Sequence, residues 1–223
     1  MSKLIVIEGV DSSGKATQTE LLHKKLSESY PDVSKVSFPN YDSPSSAIVK
    51  MYLGGEFGAE ADSVNPYTAS SFFAVDRFAS VNGAWKDIFF GDGIVIADRY
   101  TTSNMVHQAS KITNDADKDA FLDWLYDFEY NKLSLPKPDL IIFLDMPVKY
   151  ARELMKNRKN KIDVGDVKDI HESDTAYLEK SYNNAVTVAE KYGWHRILCA
   201  KDGKVRSIED ISREIFDKVK TIL

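Results

Sequence analysis

The chain has 223 residues, a formal net charge of −5 and a single cysteine. That length suits one α/β domain with a sizeable core, and the acidic balance excludes a general nucleic-acid or acidic-membrane binder, which needs a basic excess. Any polyanionic ligand must then be held by a local cluster of positive charge. The lone Cys199 allows no intrachain disulfide and suits a reducing compartment. Four scattered histidines give no zinc framework. No apolar run reaches the ~18–20 residues of a membrane span, so the expectation is a soluble, cytoplasmic protein without a membrane partner.

In chain order, Leu4–Ile7 is a short apolar, β-branched run that reads as a buried strand. Gly9 to Gly14 then supply a loop, and Lys15 opens an amphipathic helix carrying Leu21, Leu22 and Leu26, expected to end near Tyr30-Pro31. Val33–Phe38 is a second strand, stopped by Phe38-Pro39-Asn40-Tyr41. Ser43-Pro44 caps a helix to about Leu53, residues 55–64 form a loop, and Asn65-Pro66 starts a long helix whose face includes Phe72, Phe73, Val75, Phe78 and Trp85. Ile94–Ala97 is the next strand, ending in Asp98-Arg99-Tyr100. Helical patterns follow at about 102–110 and 116–131, and then strand Leu140–Leu144 ends at Asp145. Pro147 opens a helix to about Asn157, and residues 156–168 form a basic segment. A helix over about 170–191, a last strand Arg196–Cys199 and a terminal helix capped by Ser207 complete the chain. Apolar strands alternating with helices predict a single domain over 1–223: a three-layer α/β fold of the P-loop type, with a central parallel five-stranded sheet and helices on both faces.

Strand, Gly9-x-x-x-x-Gly14-Lys15, helix is a phosphate-binding loop in its required context. Backbone N–H groups and a helix N-terminus converge on one anion site, and Lys15 adds a positive charge. The full pattern wants Ser or Thr after the lysine to ligate Mg²⁺, and here that residue is Ala16. Thr17 does not simply replace it, because one helical step rotates a side chain by roughly 100°. In an open parallel sheet the ligand crevice lies at the carboxyl ends of the strands, which puts the loop, Phe38-Pro39, Asp98-Arg99 and Asp145 on one rim. Asp98 reads either as an acid on Mg²⁺ or as a helix N-cap; for Asp145 the Met-Pro that follows favours the cap. Arg99 and Arg77 are each candidates for a second phosphate site or for ordinary ion pairs, with Phe73 one turn from Arg77 as a stacking face for a base. The basic segment reads equally as a solvated helix end or as a lid over transferring phosphoryl groups. Two anion sites under a lid suggest a nucleoside monophosphate kinase.

The ordered set Glu8-Gly9-Val10-Asp11-Ser12-Ser13-Gly14-Lys15-Ala16-Thr17-Gln18, Phe38-Pro39, Phe73-Ala-Val-Asp-Arg77, Asp98-Arg99-Tyr100-Thr-Thr-Ser103-Asn104, Pro136-Lys-Pro-Asp139 and Phe143-Leu-Asp145 resembles the thymidylate kinase family over nearly the whole chain. The resemblance implies transfer of a phosphoryl group from MgATP to dTMP, giving ADP and dTDP, by a homodimer to which the 66–85 helix contributes, although its apolar residues read equally as core. It implies that Gly9, Ser12, Ser13, Gly14, Lys15, Ala16 and Thr17 cradle the ATP phosphates, with Lys15 catalytic and Asp98 on the metal. Asp11 would organise the phosphate-binding arginines. Phe73 would stack on thymine, Phe38 and Pro39 line the pocket, Arg77 read the base edge rather than a phosphate, and Arg99 hold the monophosphate. Ser103 and Asn104 would contact the base. Ser12 stands where one branch of the family carries arginine, so the transition-state charge would come from the lid, through Arg158 and Lys161. Tyr41 stands where many members have a further phosphate-binding arginine.

Overall fold

The computed structural model describes residues 2–83, 85–155 and 175–223. Its main sheet contains β1 (Lys3–Glu8), β2 (Val33–Ser37), β3 (Ile94–Asp98), β4 (Leu140–Asp145) and β5 (His195–Leu198), all parallel in the order β2-β3-β1-β4-β5. The expected five-stranded parallel sheet is therefore present, with β1 at its centre. Both faces of β1 are covered, which is why its sequence is continuously apolar rather than alternating. Ile5 and Ile7 pack with Leu22 and Leu26 of α1 (Lys15–Ser27) and with Ile211, Ile215 and Val219 of the terminal helix, Ile208–Lys220. Leu4 and Val6 pack on the other face with Val81, Trp85, Val95 and Tyr100.

Among the described residues the remaining α-helices are α2 (Ala47–Leu53), α3 (Pro66–Gly83), α4 (Lys86–Phe90), α5 (Thr101–His107), α6 (Asp115–Tyr126), α7 (Val148–Met155) and α8 (Thr175–Lys191); the terminal helix is α9. Ser207 caps α9 as expected, its hydroxyl accepting from the Asp210 N–H at 3.1 Å.

Several elements depart from the expectation. The first helix stops at Ser27, short of Tyr30-Pro31. The long helix ends at Gly83, so Trp85 belongs to the start of α4, and it is fully buried. Of the two readings of the 66–85 helix, Val75 and Phe78 take the surface one, at 52% and 44% exposed on the outside of α3. Residues Asp127–Lys132 form a π-turn that continues α6. After β5 the chain makes a small antiparallel hairpin, β6 (Ala200–Lys201) with β7 (Lys204–Val205), too short to leave a period in the sequence. Asp145 is no helix cap: its carboxylate accepts from Tyr182 Oη and Arg196 Nε, each at 2.8 Å, and so pins α8 to the end of β4.

Candidate active site

The carboxyl ends of β1, β2 and β3 open into a cavity of about 660 Å³. One end is lined by Asp11–Gln18 of the phosphate-loop segment together with β7 and the start of α9; the opposite end is lined by the loop after β2, α3 and α5. Gly9 has to be glycine because a Cβ there would stand 2.5 Å from Ser13 Oγ and 3.0 Å from the Leu144 carbonyl oxygen. Gly14, at φ +94°, makes the turn into α1 in a backbone region that side chains avoid. Lys15 folds back over the loop, its Nζ donating to the carbonyls of Gly9 and Val10 at 2.8 Å each. Burial, and then the charge of Arg99, lower its pKa to about 8, against the opposing pull of Asp11, Asp98 and Glu8. Ala16 and Thr17 are exposed on the first turn of α1. Gln18 ties that turn to α9 by donating to the Ile208 carbonyl at 3.1 Å.

Arg99 links the two ends. Its backbone is held at φ +67°, uncommon for a non-glycine residue and characteristic of functional sites. Its guanidinium donates to the Asp11 carboxylate, lies 3.6 Å from Glu8 Oε1, and approaches Ser103 Oγ at 3.4 Å and His107 Nε2 at 3.1 Å. Burial opposes that charge, but Asp11, Glu8 and Asp98 outweigh it and hold the group firmly protonated. Glu8 is itself fully buried and accepts from Thr102 Oγ1 (2.6 Å), Ser103 Oγ (2.7 Å) and the Gly9 N–H (2.9 Å). Ser103 is thus engaged in the support of Glu8 and Arg99.

Asp98 is buried at the end of β3 and faces the cavity. It does not cap the following helix, whose N-cap position is Tyr100. A hard divalent cation takes oxygen ligands. The described residues contain no cluster of three or more His, Cys, Asp or Glu able to hold a metal alone, and Ala16 adds no hydroxyl. Asp98 therefore fits an ion held chiefly by nucleotide phosphates and water.

At the opposite end, Arg77 is 1% exposed and forms a fork on Glu129, Nε to Oε2 at 2.7 Å and Nη2 to Oε1 at 2.5 Å; its Nη1 donates to the Tyr100 carbonyl at 3.3 Å. Asn104 donates through Nδ2 to Glu129 Oε1 (2.9 Å) and the Ser70 carbonyl (3.2 Å). Phe73 is met edge-on by Tyr52, with ring centroids 6.0 Å apart and planes at 83°. Asp76, next to Arg77, accepts from the Asn40 N–H (2.8 Å) and Ser45 Oγ (2.5 Å), which fixes the Phe38–Tyr41 turn on α3. Phe38 and Pro39, joined by a cis peptide bond, form one wall, with Phe38 packed on Tyr100 at 5.8 Å.

With this geometry in hand, likenesses to known proteins can be placed. The sequence profile of the family described as "Thymidylate kinase" matches residues 7–211. The chain belongs to the thymidylate kinase family. It is 33% identical to a thymidylate kinase of Mycobacterium tuberculosis over 192 residues, 86% of this chain and 87% of that relative. It is 28% identical to a probable thymidylate kinase of Thermococcus gammatolerans over 99% of this chain and 97% of that one. The fold matches that of a thymidylate kinase from Candida albicans with a TM-score of 0.71 at 20% identity, covering 99% of this chain and 92% of that chain.

The structure brings together Asp11–Thr17, Phe38, Pro39, Phe73, Arg77, Asp98, Arg99, Ser103 and Asn104 around one cavity, while Gly9 lies behind its wall against Ser13 and Leu144. Arg158 and Lys161, with the basic segment 156–168, lie outside the described residues. Residues that sequence reasoning passed over are Glu8, Glu129, Tyr52 and the hairpin residues Val205 and Arg206, which line the cavity beside the phosphate loop. Glu8 carried a usable signal, since it closes an apolar strand just as Asp98 and Asp145 do. Glu129 carried none: an acid in an amphipathic helix reads as a solvated face.

Proposed function

We propose a division of work within this cavity for the reaction of the family, transfer of the γ-phosphoryl group of ATP to dTMP giving ADP and dTDP. ATP lies along the Gly9–Thr17 loop with its triphosphate toward Lys15, which leaves the Gly9 and Val10 carbonyls for phosphate oxygens. Its base lies toward Val205, Arg206 and Ile208. Mg²⁺, when bound, neutralises and orients the β- and γ-phosphates, and Asp98 would hold it through oxygen. Arg99 grips the dTMP phosphate bidentately, with Asp11 and Glu8 fixing its plane. The acceptor is a phosphate monoester that already carries its nucleophilic oxygen ionised, so the residues here position and neutralise rather than remove a proton.

Thymine stacks on Phe73. Arg77 can offer its base edge only donors, suited to O4, and Asn104 keeps its Oδ1 acceptor for N3–H. The observation that carries the reading is Arg99, a protonated guanidinium ion-paired to the Asp11 carboxylate of the phosphate loop and set between the donor and acceptor ends. A coupled ADP-release assay across nucleoside monophosphates is the test: dTMP should give the highest kcat/KM, and equal rates with purine acceptors would overturn the assignment. No helix among the described residues is long and apolar enough to cross a membrane, and we place the enzyme in the cytoplasm. The exposed Val75 and Phe78, one turn apart on α3, support a homodimer through that helix, for which sedimentation of Phe78→Glu as a monomer is the check.

A further inference from the structure

We propose that Glu129 is the positioning residue that sets which pyrimidine the acceptor pocket takes, because one carboxylate holds both Arg77 and Asn104 in the orientation that reads a 4-oxo base. This rests on the reading of Arg77 and Asn104 as the groups facing the base edge.

The geometry leaves each reader a single kind of group to offer. Glu129 is fully buried and reaches the site from the π-turn Asp127–Lys132, a distortion that helices use at functional positions. Its Oε2 takes Arg77 Nε, while its Oε1 takes both Arg77 Nη2 and Asn104 Nδ2. The second Nδ2 hydrogen of Asn104 goes to the Ser70 carbonyl. Two acceptors on one side thus fix the amide flip, and what Asn104 has left for a ligand is its oxygen. Arginine has no acceptor at all. The pocket therefore presents a donor beside an acceptor. Thymine and uracil answer with an O4 acceptor beside an N3–H donor, whereas cytosine presents the reverse, an amino donor beside an N3 acceptor. A mismatch leaves buried polar groups unpaired, which is how sites of this kind reject analogues.

Neither reader has this orientation by itself. An asparagine amide flips freely unless its partners decide, and Glu129, together with the Ser70 carbonyl, is a partner that only accepts. Replacing it by glutamine keeps the shape but leaves a single oxygen: with that oxygen in the Oε1 place the amino group meets Arg77 Nε, and turned the other way it meets Arg77 Nη2 and Asn104 Nδ2, so in either orientation the common hold on the two readers is lost.

The experiment measures kcat and KM of the full-length enzyme for dTMP, dUMP and dCMP, with ATP saturating, in wild type, Glu129→Gln, Glu129→Asp and Asn104→Ala. Glu129→Gln should lower the ratio of kcat/KM for dTMP over dCMP at least about 10-fold, mainly through KM for dTMP, with KM for ATP within about twofold. A loosened fold would lower dTMP and dCMP alike, so equal losses, or an unchanged ratio, overturn the proposal. If Glu129→Gln does not fold, Glu129→Asp carries the test; it keeps the charge opposite Arg77 but withdraws the carboxylate from Asn104, and the same fall in ratio is expected at smaller size. Asn104→Ala separates the two levels. An unchanged ratio there removes the base-edge reading itself, while a changed ratio with no response in either Glu129 variant removes only the role of Glu129.

Discussion

At the donor end of the cavity, where we place ATP, the wall comes mainly from one uninterrupted stretch, Asp11–Gln18, whereas the acceptor end, where we place dTMP, is assembled from the loop after β2, α3, α5 and the π-turn after α6. The donor end is shaped mainly by backbone: a glycine that admits close approach of β4, a left-handed turn into α1, and a lysine held by loop carbonyls. The acceptor end is held by buried charge, in two separate clusters centred on Glu8 and Glu129. A local loop tolerates changes elsewhere in the chain. A non-local cluster of buried charges does not, because removal of one member leaves another unpaired in a low-dielectric interior.

The largest effects should come from the two cations to which we assign phosphate, Lys15 and Arg99. Lys15→Ala and Arg99→Ala are each expected to lower kcat/KM by at least ~100-fold, about 2.7 kcal/mol of transition-state stabilisation. The ends should differ in how the loss divides, with Lys15→Ala leaving dTMP binding intact and Arg99→Ala leaving ATP binding intact. Equilibrium binding of each nucleotide to each variant would show it. Wild-type rates in both variants would remove the proposed division of work.

Next in size is the support of Arg99. Glu8→Gln preserves volume and the two hydroxyl partners but removes the negative charge 3.6 Å from the guanidinium. The expected outcome is a rise in KM for dTMP of about 10-fold, roughly 1.4 kcal/mol, with KM for ATP unchanged. An equal rise in both constants would mean that Glu8 supports the loop as a whole, and the contrast between the ends would weaken.

The same contrast explains how much could be read in the sequence. The phosphate loop is legible because its spacing is local, and the sheet because three continuous apolar runs (β1, β3 and β4) and two mixed strands alternate with helical periods. The acceptor site was legible only as a resemblance. From the residues alone Arg77 and Arg99 looked equivalent, since nothing in the linear order says that Arg77 meets Glu129, 52 positions away, while Arg99 meets Asp11, 88 positions away. Burial decides between a surface pair and a site, and sequence spacing does not carry it. The long 65–85 helix failed for a related reason. Its apolar residues do not share one face: Phe73 faces Tyr52 while Val75 and Phe78 face outward.

A smaller effect tests the wall behind the base. Lys111, just beyond α5, donates from Nζ to Tyr52 Oη at 2.9 Å, and Tyr52 in turn abuts Phe73 edge-on. Burial lowers the Lys111 pKa to about 8, with Asp62 opposing. The folded protein therefore disfavours the ammonium, which the unfolded chain keeps up to about pH 10.5. For this group the unfolded state binds more protons between about pH 8 and 10.5, so its contribution to stability rises with pH across that window and is flat below it. Relative to Lys111→Met, the wild type should gain stability from pH 8 to pH 10 by at most about 1.4 kcal/mol per pH unit, less the share screened by solvent. Urea unfolding of both proteins at several pH values is the measurement. A difference independent of pH would show that the lysine is effectively solvated and does not stiffen the acceptor wall.

The smallest effect concerns the position where the donor loop departs from its pattern. Ala16 is exposed at the first turn of α1, on the wall of the cavity, so a hydroxyl there would face the nucleotide without disturbing the core. An added oxygen ligand replaces one water on an ion that keeps several waters in any case. Ala16→Ser should therefore lower the Mg²⁺ concentration for half-maximal activity only a few-fold, under about 1 kcal/mol, with no change in KM for dTMP. A fall of a hundredfold would mean that the metal is poorly held without the hydroxyl and that Asp98 contributes little. No change at all would mean that phosphates, water and Asp98 already satisfy the ion. In that case the donor end, like the acceptor end, depends on a residue brought in from another strand, and the contrast between a local and an assembled half would hold for the phosphates but not for their metal.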